Sequence, residues 1–174
     1  LLHDQALERS VAYMRKYPMI GAMGIKTILE DGSFDHSCKR GFPTPARSFY
    51  YFVKLDRLFP KSRRFGGYRL TFLDADKISR VDSVAGSFLM MPRALFIELG
   101  GFDEVFFMYG EDIDLCYRIK EKGYVVLYYS KASMTHFKGQ SGLHTKNKTV
   151  LKHFYDAMLI FYDKHYAQKY PRFV

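Results

Sequence analysis

The stretch GGFDEVFFMYGEDIDLCYR, residues 100–118, constrains this chain more than any other. Paired glycines and a ring-rich apolar run lead straight into Glu111, Asp112 and Asp114. Carboxylates that follow Phe106, Phe107, Met108 and Tyr109 sit where water is scarce, and burying a carboxylate is costly without a partner. Two readings meet that cost. Asp112 can cap a helix running to about residue 122, its charge favoured by the positive end of the helix dipole. Equally, a carboxylate fixed on a rigid helix start, at the wall of an aromatic pocket, is placed to act as a general base. Acids at helix starts are common, so on the residues alone the cap is the simpler reading. Asp114 is expected to bond amides of the first helical turn, with Arg118 four residues on as its ion-pair partner.

The length of 174 residues suits one domain with a sizeable core. Aromatic residues make up 17% of the chain, with 16 Phe and 14 Tyr, and rings in that number suit binding surfaces as well as cores. A formal net charge of +9 favours anionic partners: nucleotide phosphates, nucleic acid or anionic lipid headgroups. No nucleic-acid recognition motif accompanies the charge, so nucleic acid is not expected as a partner. Cys38 and Cys116 lie far apart with no CxxC spacing, which argues against a zinc or redox site and for reduced thiols in a cytosolic protein. No apolar run is long enough to span a bilayer.

Residues 1–17 read as an amphipathic helix with Asp4 as cap and Leu7, Val11 and Met14 on its apolar face. Residues 19–25 read as a buried strand, and 30–33 as a turn. Thr44-Pro45 can start a helix carrying Phe49, Tyr50, Phe52, Val53, Leu55 and Leu58, more rings than one stripe can hold. KSRRFGGYR, residues 61–69, reads as a mobile basic loop, solvated or in contact with a phosphate. Residues 81–91 read as a strand broken by Gly86, where another backbone or a ligand can approach closely. A short helix over 93–99, strands over 124–129 and 132–136, and a helix over 148–166 follow. The last carries Leu151, Tyr155, Met158, Leu159 and Tyr162 near one side, and can pack on the domain or lie on a membrane surface.

Three segments in order carry a specific likeness: VDSVAGSFLMMPR (81–93), GGFDEVFFMYGEDIDLCYRIKEKGY (100–124) and HFKGQS (136–141). With them the chain resembles family 2 glycosyltransferases of the GT-A type, especially the rhamnosyltransferase-like branch of bacterial polysaccharide assembly. GAMGIKTILEDGS and FPKSRRFGGYRLT extend the likeness upstream, so it covers nearly the whole chain.

The resemblance implies an α/β fold: a mixed sheet covered by helices, the acceptor-side half of a GT-A domain. It implies residues 1–145 as the carboxyl-terminal part of that domain, with the nucleotide-binding half and its Asp-x-Asp element absent, and residues 146–174 as a basic amphipathic helix. Asp112 becomes the base of an inverting sugar transfer, with Glu111 beside it tuning its proton affinity or holding an acceptor hydroxyl. Gly86, Ser87, Met108 and Tyr109 are expected to line the substrate site, and Lys138, Gln140 and Ser141 to give donors to a diphosphate. His136 would ligate a divalent metal, Mn²⁺ or Mg²⁺, at a site incomplete in this chain. The implied partners are a nucleotide-sugar donor and a lipid-linked or saccharide acceptor, with an anionic membrane surface as a further candidate. The expected location is cytoplasmic, peripheral to the inner face of the plasma membrane, and the chain alone is expected to be inactive. A non-catalytic carbohydrate- or membrane-surface-binding module is the alternative, using the same aromatic cleft.

Overall fold

The computed structural model describes residues 1–137 and 148–170. In chain order the elements are α1 (Ala6–Lys16), β1 (Ile20–Ile28), β2 (Lys39–Arg40), α2 (Pro45–Phe52), α3 (Leu55–Leu58), β3 (Ser79–Val81), β4 (Ser83–Val84), α4 (Arg93–Glu98), α5 (Glu111–Glu121), β5 (Val125–Thr135) and α6 (Lys148–His165). β5 is the centre of a three-stranded sheet, parallel to β1 on one side and antiparallel to β3 on the other. β2 and β4 form a second, two-stranded antiparallel sheet. The fold is therefore α/β with a mixed sheet covered by helices, as expected.

Two apolar cores lie on opposite faces of the main sheet. Met23, Ile25, Leu127 and Met134 pack with α1 on one face. On the other, Ala22, Val126 and Tyr128 pack with Val84 of β4, Leu95 of α4 and Leu115, Cys116 and Ile119 of α5. The far side of α5 turns Ile113 and Tyr117 to Ala157 and Phe161 of α6. α5 is thus held between a sheet and a helix. Gly21 permits this closeness, since a Cβ there would lie 2.5 Å from Ile119 Cγ2.

Several expected elements differ from those formed. α1 starts at Ala6, after Gln5 in the left-handed region, and Asp4 does not cap it. The first residues instead extend the sheet, with Leu2 bridging Met134 and the His3 ring bonding Ser133 and Thr135. Leu7 and Val11 are exposed, while Ala6 and Ser10 are buried. Small residues let the helix approach the sheet closely, so residue size misidentified the buried face. In α6 the buried residues are Val150, Ala157 and Phe161, and Leu151, Tyr155 and Leu159 face outward. The 44–58 helix is two, because Lys54 adopts φ 60° between α2 and α3. Thr44 does cap α2, its hydroxyl accepting from the Arg47 N–H.

The 81–91 strand is likewise divided. Val81 pairs with Val126 in the main sheet, Val84 pairs with Lys39 in the small one, and Gly86–Phe88 form a 3₁₀ turn. The chain changes sheets at Asp82, which alternation of residue types does not reveal. Conversely, the two strands expected over 124–136 are the single strand β5, whose pairing with β1 jumps from Ile25↔Tyr129 to Lys26↔Ser133 across a bulge. The basic 61–69 segment forms a run of turns. Gly66 N–H donates to Ser62 O, Gly41 N–H to Tyr68 O, and the Thr71 hydroxyl to Pro60 O.

Candidate active site

The start of α5 is built by its entry. Tyr109 and Gly110 both take positive φ, 65° and 85°, and Gly110 is the N-cap. Asp112 is therefore not the cap but lies inside the first turn, buried at 7% exposure. Its Oδ2 accepts from Arg40 Nη2 at 2.5 Å and from the Gly86 N–H at 2.9 Å. β2 brings the arginine, and the 3₁₀ turn after β4 brings the amide, so the small sheet frames the carboxylate. Burial opposes charge on Arg40, but the Asp112 carboxylate outweighs it and holds the guanidinium protonated.

Glu111 lies beside this pair. Burial pushes its pKa up, and the neighbouring Asp112 charge acts in the same direction. Among the described residues, Glu111 Oε2 and Arg40 Nε are both buried without a hydrogen-bond partner. A donor and an acceptor left open beside one fixed carboxylate form a site that a polar ligand can complete. Gly86 and Ser87 are exposed at its edge, and a Cβ on Gly86 would come within 3.9 Å of both Asp112 Oδ2 and Glu111 Oε1. Asp112, Glu111, Gly86 and Ser87 are thus brought together.

Asp114 does different work from that expected. Fully buried, it accepts from Arg118 Nε at 2.7 Å, from His165 Nε2 at 2.7 Å and from Lys164 Nζ at 2.7 Å. The Arg118 pairing was expected; those from α6 replace the first-turn amides. Burial alone would raise this carboxyl, but the hydrogen bonds from His165, Lys164 and Arg118 overcome it and hold the pKa at about 2. Arg118 also donates to the carbonyls of Leu99 and Gly101, so one network fixes α5, α6 and the glycine turn before the aromatic run.

Tyr109 and Met108 point to different places. Tyr109 lines a pocket with Arg40 and Phe154, whereas Met108 lines a separate cavity with His153 and Ile160. His136 directly follows β5, with its N–H on Ile28 O. Its Nδ1 is buried without a hydrogen bond and lies 3.6 Å from Asp35 Oδ2. Among the described residues no group of three or more His, Cys, Asp or Glu side chains could hold a metal ion. Lys138, Gln140 and Ser141 lie outside the described residues. Sequence reasoning missed Arg40 as the partner of Asp112, because nothing in a basic stretch distinguishes it from Lys39 or Arg47.

A glycosyltransferase-like family 2 model matches residues 1–153. The chain belongs to that family. It is 29% identical over 150 residues to the N-acetylglucosaminyl-diphospho-decaprenol L-rhamnosyltransferase of Mycobacterium tuberculosis, covering 86% of this chain and 48% of that protein. It is 48% identical over 52 residues to rhamnosyltransferase WbbL of Escherichia coli strain K12, covering 30% of this chain and 19% of that protein. The chain spans about half the length, or less, of the curated relatives it matches. In this family member the acidic start of α5 holds a buried carboxylate, Asp112, fixed by Arg40 and by the Gly86 amide. Among the described residues of this family member, no helix is long and apolar enough to cross a membrane.

Proposed function

We propose that this chain forms the acceptor-side half of an inverting glycosyltransferase that moves a sugar from a nucleotide-sugar donor to a lipid-linked or polysaccharide acceptor in cell-surface polysaccharide synthesis. Both relatives are named as rhamnosyltransferases, which supports rhamnose as the transferred sugar. The observation that carries the reading is Asp112, held by Arg40 and Gly86 with the open Glu111 oxygen beside it. Asp112 Oδ2 is engaged, and Oδ1 is the oxygen that takes the proton of the acceptor hydroxyl. The acceptor oxygen then bonds the sugar anomeric carbon as that carbon's bond to the diphosphate breaks, and the nucleotide diphosphate leaves. Glu111 holds an acceptor hydroxyl, Gly86, Ser87 and Tyr109 shape the sugar site, and Lys138, Gln140 and Ser141 donate to the diphosphate.

A divalent cation, Mn²⁺ or Mg²⁺, would supply positive charge to the leaving diphosphate. His136, whose buried Nδ1 makes no hydrogen bond and lies 3.6 Å from Asp35 Oδ2, would be one of its ligands, with others supplied from beyond the described residues. Transfer is to be measured in a protein extending over the relatives' length, and a lipid-linked acceptor would put the reaction at a membrane surface.

The test is Asp112→Asn in that longer protein. Loss of a general base lowers transfer by about 10²–10⁴-fold, while acceptor binding persists at temperatures where the variant is still folded. Transfer within tenfold of wild type would place the base elsewhere.

A further inference from the structure

We propose that α2, α3 and the turns after them form a docking surface for an anionic lipid bilayer. This inference goes beyond the transferase reading and stands without it. The two helices invert the usual sorting of residues. α2 carries Phe49, Tyr50, Tyr51 and Phe52, yet none of its eight residues is buried. α3 buries only its acid, Asp56, and leaves Leu58 68% exposed. Phe49, Phe52, Val53 and Phe59 are exposed as well. Large apolar side chains gathered at the surface in this way mark an interaction site. The left-handed Lys54 separates the two helices, and α3 turns Asp56 inward to Arg69 Nη1 at 3.5 Å.

Charge chooses the partner. Asp56 is the only acid in residues 41–73, and it is buried at 2% exposure. Lys54, Arg57, Lys61, Arg63 and Arg64 are exposed, and among the described residues none of the five forms an ion pair; Arg69, which does, faces Asp56. On α6, by contrast, Lys152 pairs with Asp156, and Lys164 with Asp103 and Asp114. Arg63 lies over the Phe72 ring, and Arg64 over those of Tyr50 and Phe65, so these charges sit beside apolar surface. Protein interfaces deplete charge at their core, whereas an anionic bilayer takes rings into its headgroup boundary and cations at its surface. Phe52 stacks on Tyr155 of α6, ring centroids 6.3 Å apart, and also lines a small cavity with Arg40. A bilayer seated on this surface therefore lies beside the candidate site.

Co-sedimentation of this chain with vesicles tests the surface. The vesicles are phosphatidylcholine alone, or phosphatidylcholine and phosphatidylglycerol in equal parts, and heparin serves as a soluble polyanion. Wild type is expected to bind the anionic vesicles at least about tenfold tighter than the neutral ones. Arg57→Gln, Lys61→Gln and Arg63→Gln together remove about a hundredfold of that binding, because each cation near such a surface contributes about fivefold. Arg9→Gln, Arg15→Gln and Lys16→Gln remove the same charge from exposed positions of α1 and change it by less than about threefold. Phe49→Gln with Leu58→Gln weakens vesicle binding about tenfold and leaves heparin binding unchanged. If the variant with three changes around α3 fails to fold, the Phe49 and Leu58 variant decides. Equal binding to both kinds of vesicle overturns the proposal. So does an equal loss in the α1 variant, which makes net charge the cause. Wild-type vesicle binding in the Phe49 and Leu58 variant also overturns it, leaving a site for soluble polyanions.

Discussion

Arg40 and Asp112, 72 residues apart in the chain, meet at 2.5 Å, the guanidinium of a two-residue strand on the carboxylate of a helix start. Neither is exposed enough for water to replace the other, with side chains 18% and 10% accessible. Removing one partner of such a pair leaves a buried charge uncompensated. Arg40→Met is therefore expected to destabilise the chain by about 3–5 kcal/mol. Asp112→Asn added to it recovers part of that loss, and denaturant unfolding of both single variants and the double variant measures the coupling. Strict additivity would mean that the pair contributes no coupling.

Glu111 gives a pH signature. Its pKa is raised in the folded state, chiefly by burial, so the neutral form is the one that folding favours. Its contribution is fully present below the unfolded pKa and is lost as pH rises through the folded one. Glu111→Gln should therefore be more stable than wild type at neutral pH, with the advantage vanishing in acid. Melting temperatures of both proteins across that range check the sign, and a variant less stable at neutral pH would contradict it.

Asp114 has the opposite sign. Its folded pKa of about 2 lies below the ordinary 3.8. Its stabilisation is present above the unfolded pKa and is lost as pH falls from about 4 towards 2. Asp114→Asn is expected to cost about 2 kcal/mol at neutral pH and to free the end of α6 that carries Lys164 and His165. Hydrogen exchange of α6 amides and acid titration of stability read the two effects; unchanged exchange would remove Asp114 from the docking of α6.

The thiols should be silent. Cys38 and Cys116 are buried, and burial pushes their pKa values up to about 11 and about 12. Alkylation at neutral pH is expected only after denaturation, at least about a hundredfold slower in the native protein. Rapid native modification of either thiol would mean that the core around β2 and α5 opens readily.

Local chemistry accounts for what was legible. Thr44-Pro45 starts a helix, Gly100 and Gly101 end one, Gly123 ends another, and Asp114 and Arg118 pair one turn apart. Each depends on residues a few positions away. The helical faces were harder to read: in α1 the sheet selected the small Ala6 and Ser10, and in α6, α5 took Ala157 and Phe161 while Leu151, Tyr155 and Leu159 stayed outside. The resemblance singled out Glu111 and Asp112, but the residues by themselves left Asp112 between a cap and a base.

By itself the sequence determined where the longer helices and the first strand lie, the turns at glycine and proline, and an acidic helix start after an aromatic run, because these follow from nearest-neighbour sterics and periodicity. Only the tertiary structure decided that Gly110, not Asp112, caps α5, that Arg40 is the partner of Asp112, and that α6 docks through Asp114. Those outcomes depend on strand pairing across long loops. A buried charge takes its partner from whichever element packing brings within reach, and sequence spacing does not encode that choice.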